Sequence, residues 1–187
     1  MIRPATEADV TALAPLAART WLDAFGGSLA PEAAAAEAET GRSEQRFREA
    51  LRQRTILVAE QDGALVGYVE LGDVDIREAG AGPEDGELHR LYVETALHGR
   101  GIGRALLDAA LAHPRLARAP RVFLQVWDEN ERAVNLYERA GFRRVGTTRF
   151  ALGSEVVEDA STCWSARGPS APRRGRRSAR GASRTRT

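Results

Sequence analysis

Gly99, Gly101 and Gly103 stand at alternate positions in the stretch Leu91-Tyr92-Val93-Glu94-Thr95-Ala96-Leu97-His98-Gly99-Arg100-Gly101-Ile102-Gly103-Arg104-Ala105-Leu106-Leu107. A β-prone run precedes them and an apolar helical pattern follows. Glycines so spaced let the backbone approach a ligand closely and turn its N–H groups inward. The helix start adds unpaired donors and a partial positive charge, which suits a pyrophosphate. Arg100 and Arg104 add full charges. Two common phosphate motifs fail. A P-loop needs a lysine, and all 27 basic residues here are arginine. A Gly-x-Gly-x-x-Gly fingerprint fails because Leu106 stands in the third position. Three glycines alone are equally compatible with a turn that caps an ordinary helix.

The surrounding pattern is that of an α/β chain. Thr6-Glu7-Ala8-Asp9 resembles a capping box ahead of a helix carrying Val10, Leu13, Ala17, Trp21 and Phe25. Pro15 is expected to kink it, and Gly26-Gly27 to end it. Residues 33–52 are helix-prone with a break at Thr40-Gly41. Runs 55–60 and 64–71 form a hairpin around Gln61-Asp62-Gly63. A loop covers 76–86, a third strand 87–93, a helix 104–112 and a connector the segment from Pro114 to Pro120. A strand over 122–127, a helix over 131–140 closed by Gly141, and strands over 142–150 and 156–164 complete the order α-α-β-β-β-α-β-α-β-β. That order implies a mixed sheet with helices on both faces.

The chain of 187 residues suits one domain with a tail, 1–166 and 167–187. Eight arginines follow Ala166, where no acid occurs. The first 166 residues therefore set 19 arginines against 26 carboxylates, a net −7, and the tail carries +8. A wholly basic nucleic-acid-binding domain is excluded. The tail lacks apolar bulk and is expected to be disordered. One cysteine, Cys163, makes no internal disulfide or multi-cysteine zinc site, and three scattered histidines suggest no metal. With no signal-peptide pattern and no apolar run near the ~20 residues of a membrane span, a cytoplasmic protein is expected.

A second constellation follows the glycines: Val126-Trp127-Asp128-Glu129-Asn130-Glu131-Arg132-Ala133-Val134-Asn135-Leu136-Tyr137-Glu138-Arg139-Ala140-Gly141-Phe142. By itself Asn130 reads as a helix N-cap and Tyr137 as a packed aromatic. Together the two stretches resemble the GNAT superfamily of N-acetyltransferases over residues 1–166. His98-x-x-Gly101-x-Gly103 stands where that family has Gln/Arg-x-x-Gly-x-Gly/Ala, with His98 as the departure. Glu87-Leu88-His89-Arg90-Leu91-Tyr92-Val93, Val126 to Ala133 and Phe150-Ala151-Leu152-Gly153-Ser154-Glu155 are similar to the PaiA-type branch of polyamine N-acetyltransferases. The match weakens after Asp159, and the arginine tail has no counterpart.

The resemblance implies a GNAT fold, a central, mostly antiparallel mixed sheet, and acetyl-CoA as co-substrate without a metal. It implies direct transfer to an amine, so Cys163 is read as structural. The backbone of Leu91 and Val93 would pair with pantetheine, with the Val93 N–H as oxyanion donor. Amides of Gly99, Arg100, Gly101, Ile102, Gly103 and Arg104, beside His98, would hold pyrophosphate. Asn130 would contact the pantetheine arm and Arg139 a phosphate. Tyr137 would be the general acid. Glu87 would be the base through water, sharing one strand face with His89, Leu91 and Val93, with His89 as a second candidate. The −7 body favours a small cationic acceptor such as a polyamine, with Asp23, Glu70 and Glu155 as candidate acids. The alternatives are a peptide or protein N-acetyltransferase, and a non-catalytic acetyl-CoA-binding module whose tail docks on nucleic acid. A homodimer through the last strands is common in the family.

Overall fold

Strand β1 (Ile2–Pro4) opens a seven-stranded sheet whose other members are β2 (Thr55–Gln61), β3 (Ala64–Asp73), β4 (Gly86–Val93), β5 (Arg121–Trp127), β6 (Arg143–Leu152) and β7 (Glu155–Arg167). The computed structural model describes residues 1–28, 30–76, 80–152 and 155–167, and of Ser28, 148–152, 155–163 and Arg167 it describes the backbone. The arginine-rich tail, Arg167 apart, lies outside the described residues. The strand order is β1-β2-β3-β4-β5-β7-β6, and every ladder is antiparallel except β4–β5. A parallel pair needs a crossover. Here it is made by α4 (Ile102–Ala112) and the short α5 (Pro114–Ala117).

The remaining helices are α1 (Val10–Phe25), α2 (Pro31–Gly41), α3 (Glu44–Gln53) and α6 (Glu131–Arg139). On one sheet face Val10, Leu13, Leu16 and Phe47 from α1 and α3 pack against Ile56, Val58 and Tyr68. On the other, Leu106, Leu107 and Ala110 of α4 and Tyr137 of α6 pack against Val69, Leu71, Leu88, Val122 and Leu124. The sheet is thus covered on both faces, as expected.

Three local features differ from the sequence expectation. β1 is only three residues long, and Pro4 hides it. The connector after Pro114 holds the one-turn helix α5, whose Arg115 N–H is accepted by His113 Nδ1 at 3.3 Å. Helix α4 starts at Ile102, two residues early. Helix α1 continues through Pro15, where a kink is expected. Pro15 and Thr11 are exposed, so water can satisfy the Thr11 carbonyl that loses its partner.

One irregularity in the sheet decides the site. Consecutive β3 residues Glu70 and Leu71 pair with Arg90 and Leu88, which leaves His89 as an extra residue on β4. Such a bulge breaks the two-residue alternation of side chains. Leu88 and Val93 accordingly join the α4-side core, with Leu91 packed against it, while Glu87 and His89 are directed away from it. The expectation that Glu87, His89, Leu91 and Val93 share one face is therefore corrected.

Candidate active site

The parallel ladder between β4 and β5 ends early. Gly86, Glu87 and Leu88 pair with Val122, Phe123 and Leu124, and then the strands part, although β4 continues to Val93 and β5 to Trp127. On its other side β4 remains paired with β3 as far as Val93. The Glu94 N–H donates to the Val66 carbonyl at 2.9 Å. Antiparallel ladders alternate bonded and non-bonded pairs, so Val93 and Leu91 turn their N–H and C=O groups away from β3 and into the gap. Val93 O accepts from His98 Nε2 at 2.9 Å. The Val93 N–H and both polar groups of Leu91 face the gap without a strand partner among the described residues.

The glycine loop closes one end of this gap. Gly99 and Gly101 have φ of 78° and 82°, a region costly for residues with a Cβ, and Gly101 is the N-cap of α4. By helix geometry the N–H groups of Ile102, Gly103 and Arg104 have no intrahelical acceptor, while the Ala105 N–H reaches Gly101 O at 2.9 Å. His98 pins the loop to the end of β4, and its Nδ1 is buried without a partner among the described residues. The cleft beside the loop has a volume of about 1080 Å3. All the residues expected at the donor site line it except Arg100, which is exposed on the loop outside its wall. Arg104 Nε is engaged with both oxygens of Asp108 at 2.9 Å. Arg132 and Asn135, not expected, share a helical stripe with Arg139 and line the same cleft. Their i, i+3, i+7 spacing was the available signal.

Helix α6 places Asn130 and Tyr137. Asn130 Oδ1 accepts from the Ala133 N–H at 3.1 Å, so this residue both caps the helix and lines the cleft. At the other end Gly141 has φ of 92°. The Phe142 N–H bonds Tyr137 O and the Gly141 N–H bonds Glu138 O, both at 3.0 Å, which is the pattern of a Schellman cap. That cap brings Phe142 edge-on to the Tyr137 ring, with centroids 5.8 Å apart. Tyr137 is 6% exposed, and burial holds its hydroxyl well above the usual tyrosine range, with Tyr92 adding to the shift. It therefore stays protonated at any working pH.

A second cavity of about 430 Å3 opens on the far side of the gap and shares Leu91, Tyr92, Trp127, Asn130, Ala133 and Tyr137 with the first. Glu87 lines it. Glu87 Oε2 accepts from the N–H groups of Asp75 and Ile76 at 2.7 and 3.1 Å, and Oε1 lies 3.2 Å from His89 Nδ1. Burial raises the carboxyl, but the His89 contact and the two N–H donors outweigh it, and the net shift is downward. His89 Nε2 bonds the Asp73 carbonyl at 3.1 Å, so both ring nitrogens face acceptors. Arg42, Arg54 and Arg90 also line this cavity, a cationic wall that the sequence reading missed. Of the candidate acids, Glu70 is fully buried against arginines. Asp23 accepts from the Thr95 hydroxyl at 2.7 Å and lines the donor-side cleft. The side chain of Glu155 lies outside the described residues.

A glycine cradle at a helix start, beside a parted parallel strand pair and a buried tyrosine, is an arrangement suited to a phosphate-bearing donor. Residues 19–142 match the profile of the acetyltransferase (GNAT) family. An uncharacterized N-acetyltransferase of Mycobacterium tuberculosis is 38% identical over 153 residues, covering 81% of this chain and 94% of that protein. A mycothiol acetyltransferase of Propionibacterium freudenreichii is 41% identical over 95 residues, 49% of this chain and 28% of its own length. The crystal structure of PaiA N-acetyltransferase from Thermoplasma acidophilum in complex with coenzyme A superposes with a TM-score of 0.72 at 19% identity, over 89% of this chain and 98% of that one. The chain belongs to the acetyltransferase (GNAT) family. As a member it is an N-acetyltransferase that takes acetyl-CoA as donor.

Proposed function

We propose that the enzyme transfers acetyl directly to the primary amine of a small molecule, with Tyr137 as general acid. The observation that carries this is the position of Tyr137, buried, protonated and shared by the two cavities. Acetyl-CoA supplies the thioester carbonyl and a thiolate leaving group. The residues that fit it are the loop amides from Gly99 to Arg104 for the pyrophosphate, and Leu91 and Val93 for the pantetheine arm. Arg139, with Arg132, carries charge at the rim, and the amide nitrogen of Asn130 is left for a pantetheine carbonyl. His98 acts by holding the loop on Val93. The Val93 N–H faces the gap and serves as oxyanion donor. The amine enters from the second cavity. It loses a proton through water to Glu87, which is ionised but a weak base at its lowered pKa. The Tyr137 hydroxyl donates a proton to the departing sulfur, and tyrosine regains it from solvent.

A polyamine acceptor was expected from the −7 body and the PaiA-type resemblance. The acceptor cavity instead sets Arg42, Arg54 and Arg90 against Asp75 and Glu87. We therefore read the acceptor as a small amine that is not a polycation, handled in the cytoplasm. The test is thiol release from acetyl-CoA with spermidine, spermine, amino acids, drug amines and short peptides. Saturable release with a small amine supports the proposal. In Tyr137→Phe kcat should fall about 10²–10⁴-fold with the KM for acetyl-CoA unchanged. A full-rate variant would remove Tyr137 from the mechanism.

A further inference from the structure

Glu70 on β3 is fully buried, and three guanidinium groups converge on it: Arg46 at 2.8 Å, Arg54 at 2.7 Å and Arg90 at 3.1 Å. One carboxylate cannot neutralise three cations. Asp75 adds a second partner for Arg54 alone. The other carboxylates nearby are already engaged, Glu37 by Arg42 at 2.8 Å and Glu87 by His89 and two backbone N–H groups. The four arginines are matched in number by Glu37, Glu70, Asp75 and Glu87, but Glu37 and Glu70 do not line the acceptor cavity, so its own wall sets Arg42, Arg54 and Arg90 against Asp75 and Glu87, one positive charge in excess. Donors of the cluster are also in excess. Arg42 is 7% exposed and stacks on Trp21 at 4.2 Å, yet its Nε is buried without a partner among the described residues, and so is Nη1 of Arg46, which does not line the cavity. Arg90 bonds Glu70 through Nη1, and no other hydrogen bond of its fork is made among the described residues. Arg42 Nε and Arg46 Nη1 are sealed from the cavity, but Arg90 lines it with its side chain 26% exposed, so the open part of its fork can meet an anion carried by a ligand.

We infer that the acceptor carries a carboxylate of its own, which docks on Arg90 and Arg42 while its amine points toward Tyr137. The inference rests on the assignment of this cavity to the acceptor. A planar guanidinium fork matches a carboxylate through paired hydrogen bonds, which favours an amino acid over a plain amine. A polycation meets repulsion on the same wall. The net charge of the body does not bear on this, because the carboxylates that make it negative are spread over the surface and screened beyond about 10 Å.

The experiment compares amines that differ only in the carboxylate: leucine with isoamylamine, phenylalanine with phenethylamine, and 4-aminobutyrate with propylamine, with spermidine as a cationic control. Each is titrated calorimetrically into the full-length protein with and without CoA, so that binding is read without turnover. At least one carboxylate-bearing member should bind tenfold or more tighter than its partner. Arg90→Gln should erase that ratio, and Arg90→Lys should restore part of it, with CoA binding unchanged in both. Equal or tighter binding of the plain amines or of spermidine overturns the inference. So does an absence of binding by every carboxylate-bearing amine, and so does a ratio unchanged in a folded Arg90→Gln protein. Loss of CoA binding would instead refute the donor-site assignment, and the acceptor pairs titrated without CoA would still report the preference.

Discussion

Replacing Glu70 with glutamine removes the charge that three guanidiniums share. The amide keeps one carbonyl oxygen and brings two N–H donors into a site already crowded with donors. Removing one partner of a buried ion pair costs about 3–5 kcal/mol, because the remaining charge stays buried. Two features of this site hold the value near the lower end. Arg54 keeps Asp75, and the side chains of Arg46, Arg54 and Arg90 are 21%, 24% and 26% exposed, so water takes up part of their charge. The expected loss is therefore about 3 kcal/mol, or about 6–12 °C in Tm for a chain of this size. Urea unfolding followed by tryptophan fluorescence reads the first figure, and calorimetry the second. A carboxylate-bearing acceptor at saturation should recover part of the loss in Glu70→Gln, since it returns an anion to the same wall. A loss below 1 kcal/mol would mean that the arginines are solvated and the cluster is not a buried charge centre.

Glu87→Gln should lower turnover at neutral pH and recover partly as pH rises, because an amine that deprotonates in solution needs less help; an unchanged pH–rate profile would remove Glu87 as the base. Gly101→Ala forces a Cβ onto a residue at φ of 82°. It should cost about 1–2 kcal/mol in unfolding experiments and weaken acetyl-CoA in a binding titration, with acceptor affinity little changed. Burial raises the hydroxyls of Tyr68 and Tyr137 well above the usual range and that of Tyr92 to about 12, against a partial lowering by Arg42. Above pH 10 the unfolded chain releases these protons while the native chain keeps them. Stability should then fall by up to ~1.4 kcal/mol per pH unit for each buried tyrosine. Urea midpoints at pH 9, 10 and 11 check this, and Tyr68→Phe should flatten the decline.

What could be read in advance was local. The alternate glycines fix two positive-φ positions and a helix start within five residues, and neighbouring residues satisfy them. Tyr137 to Phe142 is likewise a closed unit, in which Gly141 sets the cap and the cap orients the tyrosine. What escaped was assembled from a distance. The stretch Glu87 to Val93 alternates polar and apolar at its start, and nothing in it marks His89 as the extra residue. The bulge exists because β3 offers Glu70 and Leu71 consecutively to Arg90 and Leu88. The arginine wall draws on the turn after α2, on both ends of α3 and on β4, closing on a carboxylate of β3. No window of the sequence contains it.

The bulge and the parting of β4 from β5 occur at neighbouring positions, and together they account for a site with two sides. Pairing with β5 stops at Leu88, so beyond it the Val93 N–H and the polar groups of Leu91 have no strand partner among the described residues. The extra residue at His89 resets which side chains face which layer. Before it, Glu87 reaches the loop at 75–76 and the acceptor cavity. After it, Leu91 and Val93 turn apolar side chains to α4 and backbone to the gap, beside the glycine loop. A regular strand in continuous ladders would have neither the open edge nor the change of face. On the proposed reading the donor and the acceptor meet where one strand is irregular as its parallel partner leaves it, beside Tyr137 on α6, which lines both cavities.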